Sequence, residues 1–259
     1  MATLDHPLFK TRYHMFRADS AHISSEALII HGVDLLDSEA LEAFLSVFGE
    51  AIQSPRKEVT GSIFMKRYVS VIAGALYAFS YCDRCLDISL EQLRIVLQKD
   101  KLHFLLATEE ELPGISMIPE REERRRLLLQ RMYHSNMKPV WNAIIQATGI
   151  GGSTLWATLS YLVAYWKQED INKLETDEAR RCVEEDYRYF TNYAWIDSFA
   201  DCPINPIFSR FKSVEIDDHT VLVRAKCCLQ HCLPGDDRYC YTCPRISEEN
   251  RTRKYRAHH

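Results

Sequence analysis

The chain has 259 residues, is 46% apolar, and carries a formal net charge of -4 at a pI near 6.2. That apolar content supplies the core of one large domain or two smaller ones and excludes general disorder. The acidic balance argues against a general nucleic-acid binder, which needs Lys and Arg to displace phosphate counterions.

The first sixteen residues alternate polar and apolar positions and lack the continuous apolar stretch of a secretory leader. The longest apolar run, Val69 to Phe79, is interrupted by Ser70 and Gly74 and flanked by Lys66, Arg67 and Asp83. It is shorter than the roughly 20 residues of a membrane span. The expectation is a soluble, cytoplasmic protein without an integral membrane segment.

From Ser38 to Ile52, Leu41, Phe44, Leu45, Val47 and Phe48 recur with a helical period, with Asp37 or Ser38 as cap and Pro55 beyond the end. Ile63, Met65, Tyr68, Val69, Ile72, Leu76 and Phe79 predict a broadly apolar, buried helix from about Ser62 to Tyr81. Leu93, Ile95 and Leu97, then Leu102, Phe104 and Leu106, alternate on either side of Lys99-Asp100 and predict a β-hairpin. Residues 113–119 read as a connecting loop. Glu120 to Ala147 reads as one or two helices, with Pro139 marking a break or a new first turn.

Gly149, Gly151 and Gly152 form a turn, with Ser153 or Thr154 as cap of a helix over Leu155 to Trp166. No clear strand precedes these glycines and no Lys follows them, so a phosphate loop is not implied. An acidic helix is predicted from Thr176 to Tyr189. A second hairpin follows, Phe208 to Ile216 and Thr220 to Ala225, turning at Asp217-Asp218. The basic end, Ser247 to His259, reads as a solvated tail. The resulting organisation is a 1–110 α+β region, a 111–200 helical region, a 201–246 hairpin and cysteine segment, and a 247–259 tail. The fold class is α+β: a mainly helical body, two hairpins and a C-terminal cysteine cluster.

Nine cysteines in a chain of this kind are more often free thiols or metal ligands than disulfides. Cys182 and Cys202 stand alone and read as small buried hydrophobes. Cys82 and Cys85 form one Cys-x-x-Cys at the end of the apolar helix, read as structural, with a redox pair or half of a zinc site as the alternatives. Cys227, Cys228, Cys240 and Cys243 place four thiols within seventeen residues. A Cys-x-x-Cys turn presents two thiolates to one metal, and the adjacent pair can supply two more. Neighbouring side chains on an extended strand point to opposite faces, so the pair converges only if the backbone kinks there. Spacing alone leaves a two-iron cluster and a structural zinc both open, with a redox dithiol as the third chemistry. Cys232, inside the intervening loop, is an alternative ligand to Cys227 or Cys228.

The segment Val223-Arg224-Ala225-Lys226-Cys227-Cys228, an eleven-residue spacer, and Cys240-x-x-Cys243-Pro244 resemble the C-terminus of the FhuF-like ferric-siderophore reductases, whose own spacer is about ten residues. Looser likeness extends to Lys66-Arg67-Tyr68, the first hairpin, Leu155-Trp156 and Asn205-Pro206. The resemblance implies a [2Fe-2S] cluster on Cys227, Cys228, Cys240 and Cys243, with no catalytic residue separate from these ligands. It further implies one-electron reduction of siderophore-bound iron(III) to iron(II), in which the four thiolates carry the metal. The substrate would be a hydroxamate or citrate-hydroxamate complex, and the electrons would come from a separate ferredoxin, flavodoxin or reductase. A basic pocket for the complex would draw on Lys66, Arg67, Arg210, Lys212 and Arg224. The arginines from Arg121 to Arg131 offer a donor-docking face, although the interleaved Glu120, Glu122 and Glu123 favour a solvated helix. A zinc-stabilised scaffold and an iron-sulfur sensor are the rival readings.

Overall fold

The computed structural model describes residues 4, 6–19, 21, 23–107, 112, 114–191 and 211–258. Its first part runs α1 (Pro7–Arg12), β1 (Met15–Arg17), β2 (Leu28–His31), α2 (Ser38–Ala51), α3 (Lys57–Cys82), β3 (Leu93–Gln98) and β4 (Lys101–Leu106). The Asp37 carboxylate accepts from the Ala40 amide at 2.9 Å, which caps α2 where the sequence placed its start. Helix α3 is apolar on nearly every face and buried along most of its length, the pattern of a helix enclosed by its neighbours. It starts earlier than the sequence places it because Val59, Thr60 and Gly61 also pack inward, and it stops where Asp83 turns left-handed.

The predicted hairpin forms with Ile95 opposite Phe104 and Lys99-Asp100 at the turn. It is the centre of a four-stranded sheet of order β1-β4-β3-β2, in which β1 runs parallel to β4 and the other pairs are antiparallel. The two outer strands carry no legible signal of their own. They are three and four residues long, and β2 exposes Leu28, Ile29 and His31 as an edge strand does.

The second part runs α4 (Arg121–Met132), a π-helical turn (Tyr133–Met137), α5 (Lys138–Thr148), α6 (Gly152–Ile171) and α7 (Asp177–Thr191). Pro139 sits in the first turn of α5, as its missing amide donor requires. The π turn drives Asn136 into the core, where it accepts from the Tyr68 hydroxyl at 2.9 Å and donates to the Ile88 carbonyl at 2.6 Å. Gly149, at φ 72°, ends α5, and Gly151 precedes α6 with no side-chain cap; Ser153 and Thr154 fall inside the first turn rather than capping it. Arg12 lies 3.7 Å over the Trp166 ring and pairs with Asp170, which ties α1 to α6.

The arginines of α4 are not one solvated row: Arg121, Arg124 and Arg125 are tied into the body, while Arg126 and Arg131 are exposed. Asp186 of α7 is wholly buried and holds Arg121 at 2.6 Å and Arg125 at 2.7 Å, while Arg124 pairs with Asp83 at 3.0 Å. Their partners come from α3 and α7, distant in sequence, so the local Glu pattern misdirects. Only Arg126 keeps the local arrangement, paired with Glu123 at 2.6 Å. Asp186→Ala leaves two guanidinium groups without their buried anion and is expected to cost about 3–5 kcal/mol in urea unfolding. Arg126→Ala should stay within about 0.5 kcal/mol of the parent chain.

The last part is a hairpin of β5 (Lys212–Ile216) and β6 (His219–Val223), the cysteine segment, and α8 (Glu248–His258). Residues 208–210, predicted to begin β5, lie outside the described residues, as do Asn205, Pro206 and Cys202. The solvated tail is a correction: residues 248–258 are helical, and Ser247 caps them by accepting from the Asn250 amide at 3.2 Å. Glu248 and Glu249 in its first turn face the positive end of the helix dipole. No helix among the described residues is long and apolar enough to cross a membrane.

Candidate metal centre

Three elements bring the four thiols together. Strand β6 delivers Arg224, whose amide donates to the Thr242 carbonyl at 3.0 Å and whose Nε donates to Thr242 Oγ1 at 3.2 Å. This zips the approach to the cysteine pair onto the Cys-x-x-Cys turn, which is closed by Cys243 N–H donating to the Cys240 carbonyl at 3.0 Å. Helix α3 contributes one face: Ser62 Oγ donates to the Cys228 carbonyl at 2.8 Å, and Lys66, one turn on, donates to Gln230 Oε1 at 3.0 Å. Helix α8 contributes Arg251, which is buried and donates to the carbonyls of Tyr241, Cys243 (3.0 Å) and Ile246 (3.4 Å).

The kink that an adjacent pair requires lies at Leu229, whose φ of 58° is left-handed. A non-glycine residue pays about 1 kcal/mol or more for that conformation. It turns the Leu229 amide onto the Cys227 sulfur and sends Cys228 inward, where it is 4% exposed. The thiols then run in hydrogen-bonding sequence, Cys227 to Cys243, Cys243 to Cys240, and Cys240 to Cys228.

This mutual bonding splits their acidities. Cys227 falls to about 5, chiefly through the hydrogen bond from Cys243, with help from the Leu229 amide and His231. Cys240 falls further, because Cys228 and Cys243 both donate to it. The two donors, Cys228 and Cys243, are raised by those same bonds and by burial. Two thiolates are thus favoured, and a metal held by all four sulfurs would displace the other two protons.

Cations surround the sulfurs. Lys66 and Arg224 both act on Cys228, and Arg224 also acts on Cys240. Neither makes an ion pair with a carboxylate among the described residues. Burial lowers the Lys66 ammonium and the cysteine sulfurs oppose that effect, while the Cys240 thiolate is the anion facing Arg224. Thr242 Oγ1 lies 3.4 Å from Cys240 Sγ, and His231 Nδ1 lies 3.5 Å from Cys227 Sγ with its ring stacked on Tyr239. Four thiols, amide and hydroxyl donors aimed at sulfur, and two uncompensated cations fit a negatively charged metal-thiolate group. No three or more His, Cys, Asp or Glu side chains among the described residues are gathered around a single ion.

Of the basic residues singled out in the sequence, Lys66 and Arg224 therefore stand at the thiols. Arg67 points elsewhere, to the Asp100 carbonyl and over the Phe48 ring at 5.2 Å. Consecutive helical residues diverge by about 100°, so Lys66 and Arg67 cannot share a face. Lys212 pairs with Glu248 of α8 at 2.7 Å, and Arg210 lies outside the described residues. Cys232 sits 3.6 Å from His231 Nε2 and packs against the hydrophobic core. Cys85 is in the core and Cys82, half-buried, has its thiol raised by burial; neither completes a single-ion site with Cys240 and Cys243. Ser62, His231, Thr242 and Arg251 are site residues that the motif spacing did not reveal.

An α+β body with a thiol-rich site clamped between its central helix and its last helix is the class that fold and site define. The family model described as "Ferric iron reductase FhuF-like transporter" matches residues 62–193, just over half of the chain. The chain belongs to this FhuF-like family. The match takes in Lys66, the first hairpin and helices α4 to α7, and ends before the cysteine segment. No curated protein matches the chain.

Proposed function

We propose that the protein reduces siderophore-bound iron(III) to iron(II) in the cytoplasm, through a [2Fe-2S] cluster on Cys227, Cys228, Cys240 and Cys243. The observation that carries this reading is the convergence of four thiols beside two cations that no carboxylate among the described residues pairs with, in a chain of a ferric iron reductase family. Such a cluster would supply one electron at a time, at a potential set by hydrogen bonds to sulfur and by exposure. Leu229 N–H, Thr242 and His231 provide those bonds, and Lys66 and Arg224 lower the cost of holding negative charge.

Siderophores grip iron with hard oxygen donors, which favour the smaller, more highly charged ferric ion. One added electron therefore loosens the complex and releases iron(II). The electrons come from a separate donor protein or a small reductant, because the sequence contains no flavin or nicotinamide fingerprint. Membership of a ferric iron reductase family favours this reading over a zinc-held scaffold.

Protein prepared without oxygen should be coloured and carry about two irons and two sulfides per chain. The chemically reduced protein should be reoxidised by a ferric siderophore, with stoichiometric iron(II) trapped by a chelator. A colourless protein with one zinc and no sulfide overturns the reading. A coloured protein that no ferric complex reoxidises reduces it to a sensor.

A further inference from the structure

A cavity of about 550 Å³ opens beside Cys240, walled by α6, the cysteine loop and α8. Its chemistry is of two kinds. Tyr165 and Tyr239 offer ring faces, and Arg224, Arg253 and Lys254 offer positive charge. The one carboxylate among its described lining residues is Asp237, which Lys254 holds at 2.7 Å and Arg253 at 3.2 Å. Glu169 lies beyond Tyr165, in the neighbouring cleft. Arg224 faces the Cys240 thiolate, and Arg253 and Lys254 against Asp237 leave the cavity positive by about one charge. Arg224 already faces the thiols, so the charge available to a guest comes from Arg253 and Lys254.

We propose that this cavity binds the iron(III) complex, and that Arg253 and Lys254 select complexes of net negative charge, in which carboxylate as well as hydroxamate oxygens surround the metal. The inference rests on the reductase reading above and adds the place and charge of its substrate. A guest carboxylate competes with Asp237 for the two α8 cations, as exchange between like oxygen ligands allows. The aromatic rings cover the organic shell of the complex. Cys240 is the thiol among the described lining residues; with a one-electron cluster held on the four thiols, it would stand between that group and the guest, and one electron passed to the chelated iron(III) would give iron(II). The cluster is restored by the separate one-electron donor.

The selection is measured without turnover by using gallium(III), which matches the charge and size of iron(III) but is not reduced. Cluster-loaded protein is titrated calorimetrically, at low and at moderate salt, with three gallium complexes: an anionic citrate-dihydroxamate, a neutral cyclic trihydroxamate and a cationic linear trihydroxamate. The anionic complex should bind most tightly, and salt should weaken it most. Arg253→Glu and Lys254→Gln, singly and together, should weaken it about tenfold while changing the neutral complex less than about twofold. Arg253 is exposed, so its variant retains the fold and keeps the test valid if Lys254→Gln unfolds. Equal affinity for the three charges, or an anionic complex indifferent to Arg253→Glu, overturns the proposal. Reoxidation of reduced protein by ferric complexes, followed separately, distinguishes the two failures. Turnover that ignores both variants removes the site but leaves the reductase, whereas charge-selective gallium binding without any turnover keeps the site and removes the reductase.

Discussion

Single replacement of Cys227, Cys228, Cys240 or Cys243 by Ser is expected to remove or alter the visible spectrum, and Cys232→Ser is expected to preserve it. The four differ from the fifth in their partners. Each of the four bonds another thiol of the set, whereas Cys232 contacts His231 and the hydrophobic core. Removing a group that merely orients a ligand costs metal affinity 10–100-fold, on the order seen for outer-shell partners, so loss of a ligand should cost at least as much. Iron and sulfide per chain, measured with the absorption spectrum, report this directly. A normal spectrum in Cys227→Ser, together with loss in Cys232→Ser, would reassign the ligand set to the loop.

Arg251→Ala should be the change outside the thiols that most damages their site. Arg251 is 3% exposed, and its guanidinium joins the carbonyls on both sides of Cys243 to the last helix. Hydrogen bonds to a charged group contribute about 1.5–3 kcal/mol each, and buried carbonyls left unpaired add their own penalty. A combined loss of about 3–5 kcal/mol is expected, seen as a lower unfolding midpoint and faster bleaching of the bound metal group under a chelator. Arg251→Lys keeps the charge but loses the planar fork that spans three carbonyls, and should rescue only in part. A variant with unchanged midpoint and unchanged bleaching would show that α8 is an ornament to the site rather than its clamp.

The parts of the fold with strong periodicity were legible in the sequence. Helices α2 and α3, the β3-β4 hairpin and the Pro139 restart follow from spacing that points to one structure. Strands β1 and β2 were not, because three or four residues cannot display a period and their stability comes from pairing with the hairpin. The π turn was hidden because its reason, an Asn136 bonded to Tyr68 and Ile88, lies in residues dozens of positions away. In the site, the thiols announced themselves, while their supports did not. Ser62 looks like any small residue of a buried helix, and Arg251 looks like one of many cations near the end. A signal for α8 was present nonetheless, since Ser247-Glu248-Glu249 is a helix start with acidic residues in its first turn.

The bond from Ser62 to Cys228 joins residues 166 positions apart, and its neighbour from Lys66 to Gln230 spans 164. Closing a loop of that length carries an entropic cost of roughly 4.5 kcal/mol beyond a constant, before either bond returns anything. The hairpin and the contacts between successive helices involve far shorter loops and form sooner. Ordering by contact separation therefore makes the thiol site a late event in folding, completed on a helical body already in place. On the proposed cluster reading, assembly of the metal group would follow the folding of the body, so newly made protein would be folded before it is competent.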